Sequence, residues 1–446
     1  MYLFATTAAL ILGGVFALLV RAELWAPDPQ LMGRGTYSRV FTLHGAVMVF
    51  LFVIPVIPAA IGNYVLPLML KADDLALPRL NRLAFHIYLA GAAFLLTAMY
   101  MSAADGGSPQ AIFCSALGVF VLGFSSILSS INFIVTVHQR AKRWLELPPF
   151  VWALYATSLF QALSTPILVL TLVAWAMQPL MSAPGAASGL PRFFWVSSHP
   201  AVYIMALPAI GVICEVVEDA GRRRLVAYRQ VVVSLLAIAV VALAVWGHDL
   251  FMHQHAPESA RGPVGLGYLV ALPTAVVALS WSATLMQGNL QWRPPLLYAL
   301  CFIGLLAVGA LNALLPGALG LGAPLRNTYF VVAHFHIVVV GGTLMALLAG
   351  LYYWWPTFFG RNYHEGWAKL ACGLVFGGFS LTFFPQLMMG LLGSPRATGG
   401  AYGAQFQPYQ QASTVGVVLL SLGLVLALAG LIHGAIRGPR IRHDEP

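Results

Sequence analysis

Twelve apolar runs, each long enough to cross a bilayer, constrain this chain more than any other feature. They lie near 2–20, 40–69, 83–104, 110–138, 149–178, 193–217, 229–251, 265–287, 295–317, 328–356, 366–393 and 412–436. A transmembrane helix needs about 20 mostly apolar residues. Turns such as Gly106-Gly107-Ser108-Pro109 and Ser182-Ala183-Pro184-Gly185 separate the runs. The expected fold is an all-α membrane protein of twelve transmembrane helices, one domain over residues 1–446. Only 8% of residues are charged, against about 25% in soluble domains. That excludes a soluble or nucleic-acid-binding protein despite a net charge of +9. Arg21-Ala22-Glu23-Leu24 follows the first run with no small-residue cleavage site, so this helix is expected to be retained. Cys114, Cys214, Cys301 and Cys372 are scattered through apolar runs without a CxxC pair, which argues against a disulfide framework or a zinc site.

Cations set the orientation, because loops on the cytoplasmic side of a membrane are enriched in Lys and Arg. Sixteen of the twenty-three lie in loops after even-numbered helices or in the tail, among them Lys71, Arg79, Arg140, Arg222, Arg223, Arg224 and Arg437. The other face holds Arg21, Arg34, Arg39, Arg192, Arg261, Arg326 and Arg396. Both termini are therefore expected on the inner, cytoplasmic face of a prokaryotic-type inner membrane.

This topology brings histidines to one depth. His44, His199, His334 and His336 fall early in helices that run from outside to inside, and His248-Asp249 lies near the outer end of helix 7. One buried histidine is ordinarily a hydrogen-bonded core residue. Five in the outer third of a membrane, where ionisable groups are costly, mark a functional site, and neutral imidazole is the commonest metal ligand. His334 and His336 are two apart, which turns them about 200° from one another on a helix, so one helix can serve two centres. His199 and Tyr203, four apart, share a face, and the phenol can reach what the imidazole binds.

At these residues the sequence resembles subunit I of the haem–copper oxidase superfamily, of the cytochrome c oxidase type, over essentially the whole chain. The resemblance is carried by His44-Gly45 through Gly62-Asn63-Tyr64, Pro78-Arg79-Leu80-Asn81, His199-Pro200-Ala201-Val202-Tyr203, Trp246-Gly247-His248, Ser280-Trp281-Ser282-Ala283-Thr284-Leu285 and Val332-Ala333-His334-Phe335-His336. It implies twelve helices enclosing two haems, with His44 and His336 the axial ligands of a low-spin haem and His334 the ligand of a high-spin haem. His199 and His248 would hold a second metal, copper or non-haem iron, and Tyr203 would supply an electron and a proton when the O–O bond breaks. Arg21 and Arg396 are the implied cofactor-binding cations, although Ala397 replaces a second propionate-binding arginine. Asp74, with Asn63 and Asn81, resembles the mouth of the family's aspartate-gated proton channel. Ser198 resembles a serine variant of its upper branch, where the family's glutamate is Ala201. In Pro273-Thr274-Ala275-Val276-Val277, Thr274 is kept, but the second channel's lysine position is Val277. The implied partners are an electron-entry subunit resembling subunit II, cytochrome c or another small donor, and the lipid bilayer.

The largest departure is at the second metal. His248-Asp249 stands where the family has two adjacent histidines, and Arg326-Asn327 replaces a His-Asp pair that resembles its outer magnesium site. Two imidazoles and a carboxylate suit Fe(II), whereas copper prefers nitrogen and softer ligands. His253 and His255 are nearby substitutes, though a position past the helix end favours a surface role. The leading expectation is a respiratory catalytic subunit that reduces O2 to water. The alternatives are a nitric oxide reductase with a His199/His248/Asp249 iron site, and a haem-bearing paralogue without a working second metal. A twelve-helix secondary transporter would instead place polar residues at the midplane on broken helices.

Overall fold

The computed structural model describes residues 1–105, 109–181, 190–252, 268–318, 322–325, 327–396 and 400–441. Within them the chain is helical, and the only extended pairings are two isolated bridges, Thr328 with Pro395 and Arg361 with Arg440. Twelve long helices follow in order: α1 Tyr2–Glu23, α2 Arg34–Met69, α3 Pro78–Asp105, α4 Pro109–Arg140, α5 Pro149–Met181 and α6 Leu190–Gly221, then α7 Tyr228–Met252, α8 Ala271–Gln287, α9 Pro294–Ala318, α10 Tyr329–Phe359, α11 Glu365–Leu391 and α12 Gln407–Arg437. Each overlaps one of the twelve apolar runs. Eleven of the described helices have spans of at least 18 residues apolar enough to cross a membrane, and α8 has 17 residues.

Local chemistry sets the ends. Pro78, Pro109, Pro149 and Pro294 open α3, α4, α5 and α9, the position where a missing N–H costs nothing. The Thr328 hydroxyl accepts from the Phe330 N–H at 3.2 Å to cap α10, which stops at Gly360 in the left-handed conformation, φ 64°. α2 and α10 also contain wide π turns, Val47–Val53, Val56–Gly62 and His336–Gly341. Such turns cluster at functional sites; one begins three residues after His44 and another starts at His336.

The chain divides into two compact units. One comprises Met1–Ala9, Ala46–Gly211 and Ala227–Ser280; the other comprises Leu10–Gly45, Val212–Val226 and Trp281–Pro446. In the first, α4 packs on both α3 and α5, and α5 packs on α7. Small residues let α3 and α4 touch: a Cβ on Gly118 would stand 2.8 Å from the Leu95 nitrogen. In the second, α9, α10, α11 and α12 pack side by side. A Cβ on Gly390 of α11 would fall 1.9 Å from the Phe330 nitrogen of α10. Leu170, Val233, Leu279 and Val425 are among many exposed apolar side chains on these helices, a surface suited to lipid.

Candidate functional site

The second unit brings together His44, His334 and His336. His44 Nδ1 lies 2.9 Å from the carbonyl oxygen of Gly13 on α1, and His336 Nδ1 lies 2.8 Å from that of Val332 one turn earlier. A carbonyl only accepts, so Nδ1 carries the proton in each ring and Nε2 keeps its lone pair. Metal-bound imidazoles are oriented in this way. The His336 ring stacks on Phe383 of α11 at 4.3 Å, which fixes its plane. His334 stacks instead on Phe330 at 6.1 Å, and its Nδ1 is buried with no hydrogen-bond partner. Gly45, next to His44, has nothing within 4 Å of where a Cβ would stand.

Arg21 supplies a buried cation in the same unit. Its Nη1 donates to Gln410 Oε1 at 2.8 Å and its Nη2 to Thr414 Oγ1 at 3.1 Å. Its Nε has no partner, and no carboxylate forms a salt bridge with it among the described residues. Nearby Glu23 accepts from the backbone N–H groups of Gln30, Leu31 and Met32, each at 2.9 Å. A buried guanidinium with a spare donor is costly unless a polar group completes it. The residues therefore fit a haem on two counts: imidazoles with free Nε2 atoms, and a spare cationic donor for a polar edge group. Arg396 is exposed and its backbone N–H binds Asn327. Arg326 and Ala397 lie outside the described residues.

In the first unit, the ring of His199 lies 5.2 Å from that of Tyr203, and Tyr203 contacts Phe160 at 5.9 Å. His248 and Asp249 are helical residues near the end of α7, but their side chains, like that of Ser198, lie outside the described residues. So do His253 and His255.

In the 70–77 loop, Asp74 is exposed and its Oδ1 accepts from the Leu75 N–H at 2.7 Å. Asn63 donates to the Ala59 carbonyl at 2.7 Å, and the Oδ1 atoms of Asn63 and Asn81 are both buried without partners. Two residues that sequence reading missed hold this loop. Asn132 bonds both backbone groups of Leu77, and Thr136 Oγ1 accepts from the Ala76 N–H at 2.9 Å. Their i, i+4 spacing on α4 was the available signal. A cavity of about 30 Å³ lined by Ser125, Ser126, Ser129, Ser130, Thr157 and Gln161 lies in the same unit, with room for about two waters. Thr274, in contrast, donates to the carbonyl of Val270, just before its own helix, at 2.8 Å, and Val277 is fully buried.

Long apolar helices packed on one another, with buried imidazoles whose Nδ1 atoms face carbonyl oxygens, define a polytopic helical membrane protein. The chain belongs to the oxidoreductase family described as Cytochrome C and Quinol oxidase polypeptide I, which matches residues 1–419. It is 34% identical over 466 residues to cytochrome c oxidase subunit 1 of Thermostichus vulcanus, covering 100% of this chain and 84% of the relative. To the same subunit of Bacillus sp. strain PS3 it is 32% identical over 477 residues, covering 100% and 76%. A solved chain from a heme-copper terminal oxidase dimer shares the fold, with a TM-score of 0.76 at 19% identity and coverage of 100% and 84%.

Proposed function

We propose that this chain is the catalytic subunit of a respiratory terminal oxidase that reduces O2 to water. The observation that carries the reading is the pair His44 and His336, each with Nδ1 tied to a carbonyl and Nε2 left for a metal. In this reading they hold a low-spin haem, His334 a high-spin haem, and His199 with His248 and Asp249 a second metal. When bound, these groups would supply the one-electron redox chemistry that O2 reduction needs. The chain's own residues orient them and supply protons. Phe383 fixes the His336 ring, and Arg21 meets a polar edge group of a haem, with Arg396 as a second cation. Tyr203 holds a donatable proton on its phenol beside His199. Protons enter from the inner face at Asp74, pass Asn63 and Asn81, and reach the serine-lined cavity, with Ser198 above it. Thr274 leads nowhere in this scheme, because its hydroxyl is engaged within α8 and Val277 cannot carry a proton.

Electrons arrive from a subunit resembling subunit II, fed by cytochrome c or another small donor, in a prokaryotic inner membrane with both termini cytoplasmic. One specific observation favours a second reading. Asp249 replaces a histidine at the second metal, and a His/His/Asp set suits non-haem iron and the reduction of NO to N2O. Metal and haem analysis of the purified complex, with O2 and NO turnover measured side by side, separates the two. Copper with O2 turnover supports the oxidase, iron with NO turnover the reductase, and two haems without either activity a non-catalytic paralogue.

A further inference from the structure

Helices α11 and α12 of the second unit touch backbone to backbone along their middle. A Cβ on Gly423 would stand 2.7 Å from the Val375 nitrogen, and Gly416 leaves no space before the Thr382 nitrogen. The Ser413 hydroxyl adds a bond to the Thr382 carbonyl at 2.8 Å. Beyond this point each helix is held by a different neighbour. Gly390 brings the C-terminal end of α11 against Phe330 of α10, while Gln410 and Thr414 near the start of α12 take the Arg21 guanidinium of α1. A cavity of about 520 Å³ opens between the two helices there. Leu381, Phe384, Pro385 and Met388 of α11 wall one side, and Pro408 and Ala412 of α12 the other. From Ser380 at its deep end to Met388 the groove follows α11 for about 12 Å, at 1.5 Å per residue.

We propose that this groove is a lipid-binding site, filled by one acyl chain of a membrane phospholipid. Three observations select that occupant. Both walls belong to segments long and apolar enough to cross a membrane, and the exposed Leu381, Met388 and Val415 carry the groove out onto the apolar surface, so hydrocarbon is what it meets. Its two hydroxyl-bearing residues stand at opposite ends, Ser380 with its oxygen buried and Tyr409 at the mouth, where a tyrosine ring can sit at headgroup level. The stretch between them offers dispersion contacts to an apolar chain and nothing to a polar group. Eight residues line the groove, whereas a stable protein interface takes about 20–30 on each side, so it does not seat a second copy or a partner subunit. The chain acts as a wedge. α11 carries Phe383, whose ring stacks on that of His336 at 4.3 Å, and α12 carries two acceptors of Arg21, so a filled groove fixes the spacing of both supports. The inference holds for either of the two reductions considered above.

The test uses the whole purified complex in detergent, washed of loose lipid and titrated with a phosphatidylethanolamine that carries a diazirine midway along one acyl chain. After illumination the protein is digested and the label mapped by mass. Label on the peptides holding Phe384 to Met388 and Tyr409 to Ala412 should saturate at one lipid per chain, while label elsewhere on the apolar surface rises in proportion to the probe. Ala412→Trp places an indole in the groove and should lower its labelling at least tenfold, whereas Leu422→Trp, on an exposed position of the same helix, should leave it unchanged. Adding unlabelled phosphatidylethanolamine should raise the thermal midpoint of the wild type and not that of Ala412→Trp. The proposal is overturned if groove labelling rises without saturating like the rest of the surface, if Ala412→Trp is labelled as the wild type is, or if the groove-bound probe is found attached to another subunit that covers the groove. The wild-type titration decides this even where Ala412→Trp does not fold.

Discussion

The imidazole of His44 on α2 is fixed by the backbone of α1, its Nδ1 lying 2.9 Å from the carbonyl oxygen of Gly13. A ring held by main chain keeps its plane whatever the surrounding side chains do. His336 is held in the same manner by Val332, so the two Nε2 atoms are set by main-chain carbonyls on α1 and α10.

From this we expect His44→Ala or His336→Ala to remove the low-spin haem signal and leave the high-spin one, because His334 is a separate residue with a separate stacking partner. Visible and electron paramagnetic resonance spectra of the purified variants read the outcome. A six-coordinate low-spin spectrum surviving in either variant would refute the assignment.

Proton entry makes a different demand. Asp74→Asn is expected to slow turnover severalfold with the haem spectra intact, since the residue is exposed on a loop. Asn132→Ala acts on the same loop through structure. It strips the Leu77 N–H of its partner, while the Leu77 carbonyl still accepts from the Asn81 N–H, a loss of about 0.5–1.5 kcal/mol. The thermal midpoint of Asn132→Ala should fall while that of Asp74→Asn stays near wild type. Unchanged turnover in Asp74→Asn would reduce it to a solvated loop acid.

Packing between α10 and α11 gives a third expectation. Gly390→Ala would put a methyl group 1.9 Å from the Phe330 nitrogen, and main chain cannot move aside as a side-chain tip does. Overpacking of this kind costs about 1–3 kcal/mol. The variant should lose haem per mole of protein, whereas Gly373→Ala on the same helix, with nothing within 4 Å, should not. Equal haem content in the two would show that α11 is free to shift.

What could be read from sequence follows the physics of each feature. The number, type and order of the helices were legible because burial in lipid demands about 20 apolar residues in a row, and each run overlaps one helix. Helix ends were not. α2 begins at Arg34 rather than near 40, because Gly35, Thr36, Tyr37 and Ser38 continue the helix beyond the apolar stretch, and His44 thus sits in its third turn rather than its second. The π turns after His44 and at His336 have no signature in residue type. The pairing of Arg21 with Gln410 and Thr414 spans 389 and 393 residues of chain, a separation that no local pattern encodes. Residue types, by contrast, marked His44, His334 and His336 for chemistry before any contact was known.

Asp249 decides between the two substrates. If it is a direct ligand, a carboxylate oxygen should stand about 2.0–2.2 Å from the second metal, by analogy with carboxylate–zinc distances, and the wild-type complex should contain iron there. His248 is its neighbour in α7, about 100° away around the helix, so both reach one metal only by gripping it from adjacent directions. Asp249→His restores a third imidazole. If Asp249 is a ligand and the wild-type metal is iron, the substitution is expected to shift the bound metal toward copper and turnover from NO toward O2, because copper favours nitrogen donors over carboxylate. Elemental analysis and the two activities, measured on the same preparations of wild type and Asp249→His, check this. A wild-type complex that already holds copper, with metal content unmoved by the substitution, would place Asp249 away from the metal and leave O2 as the substrate.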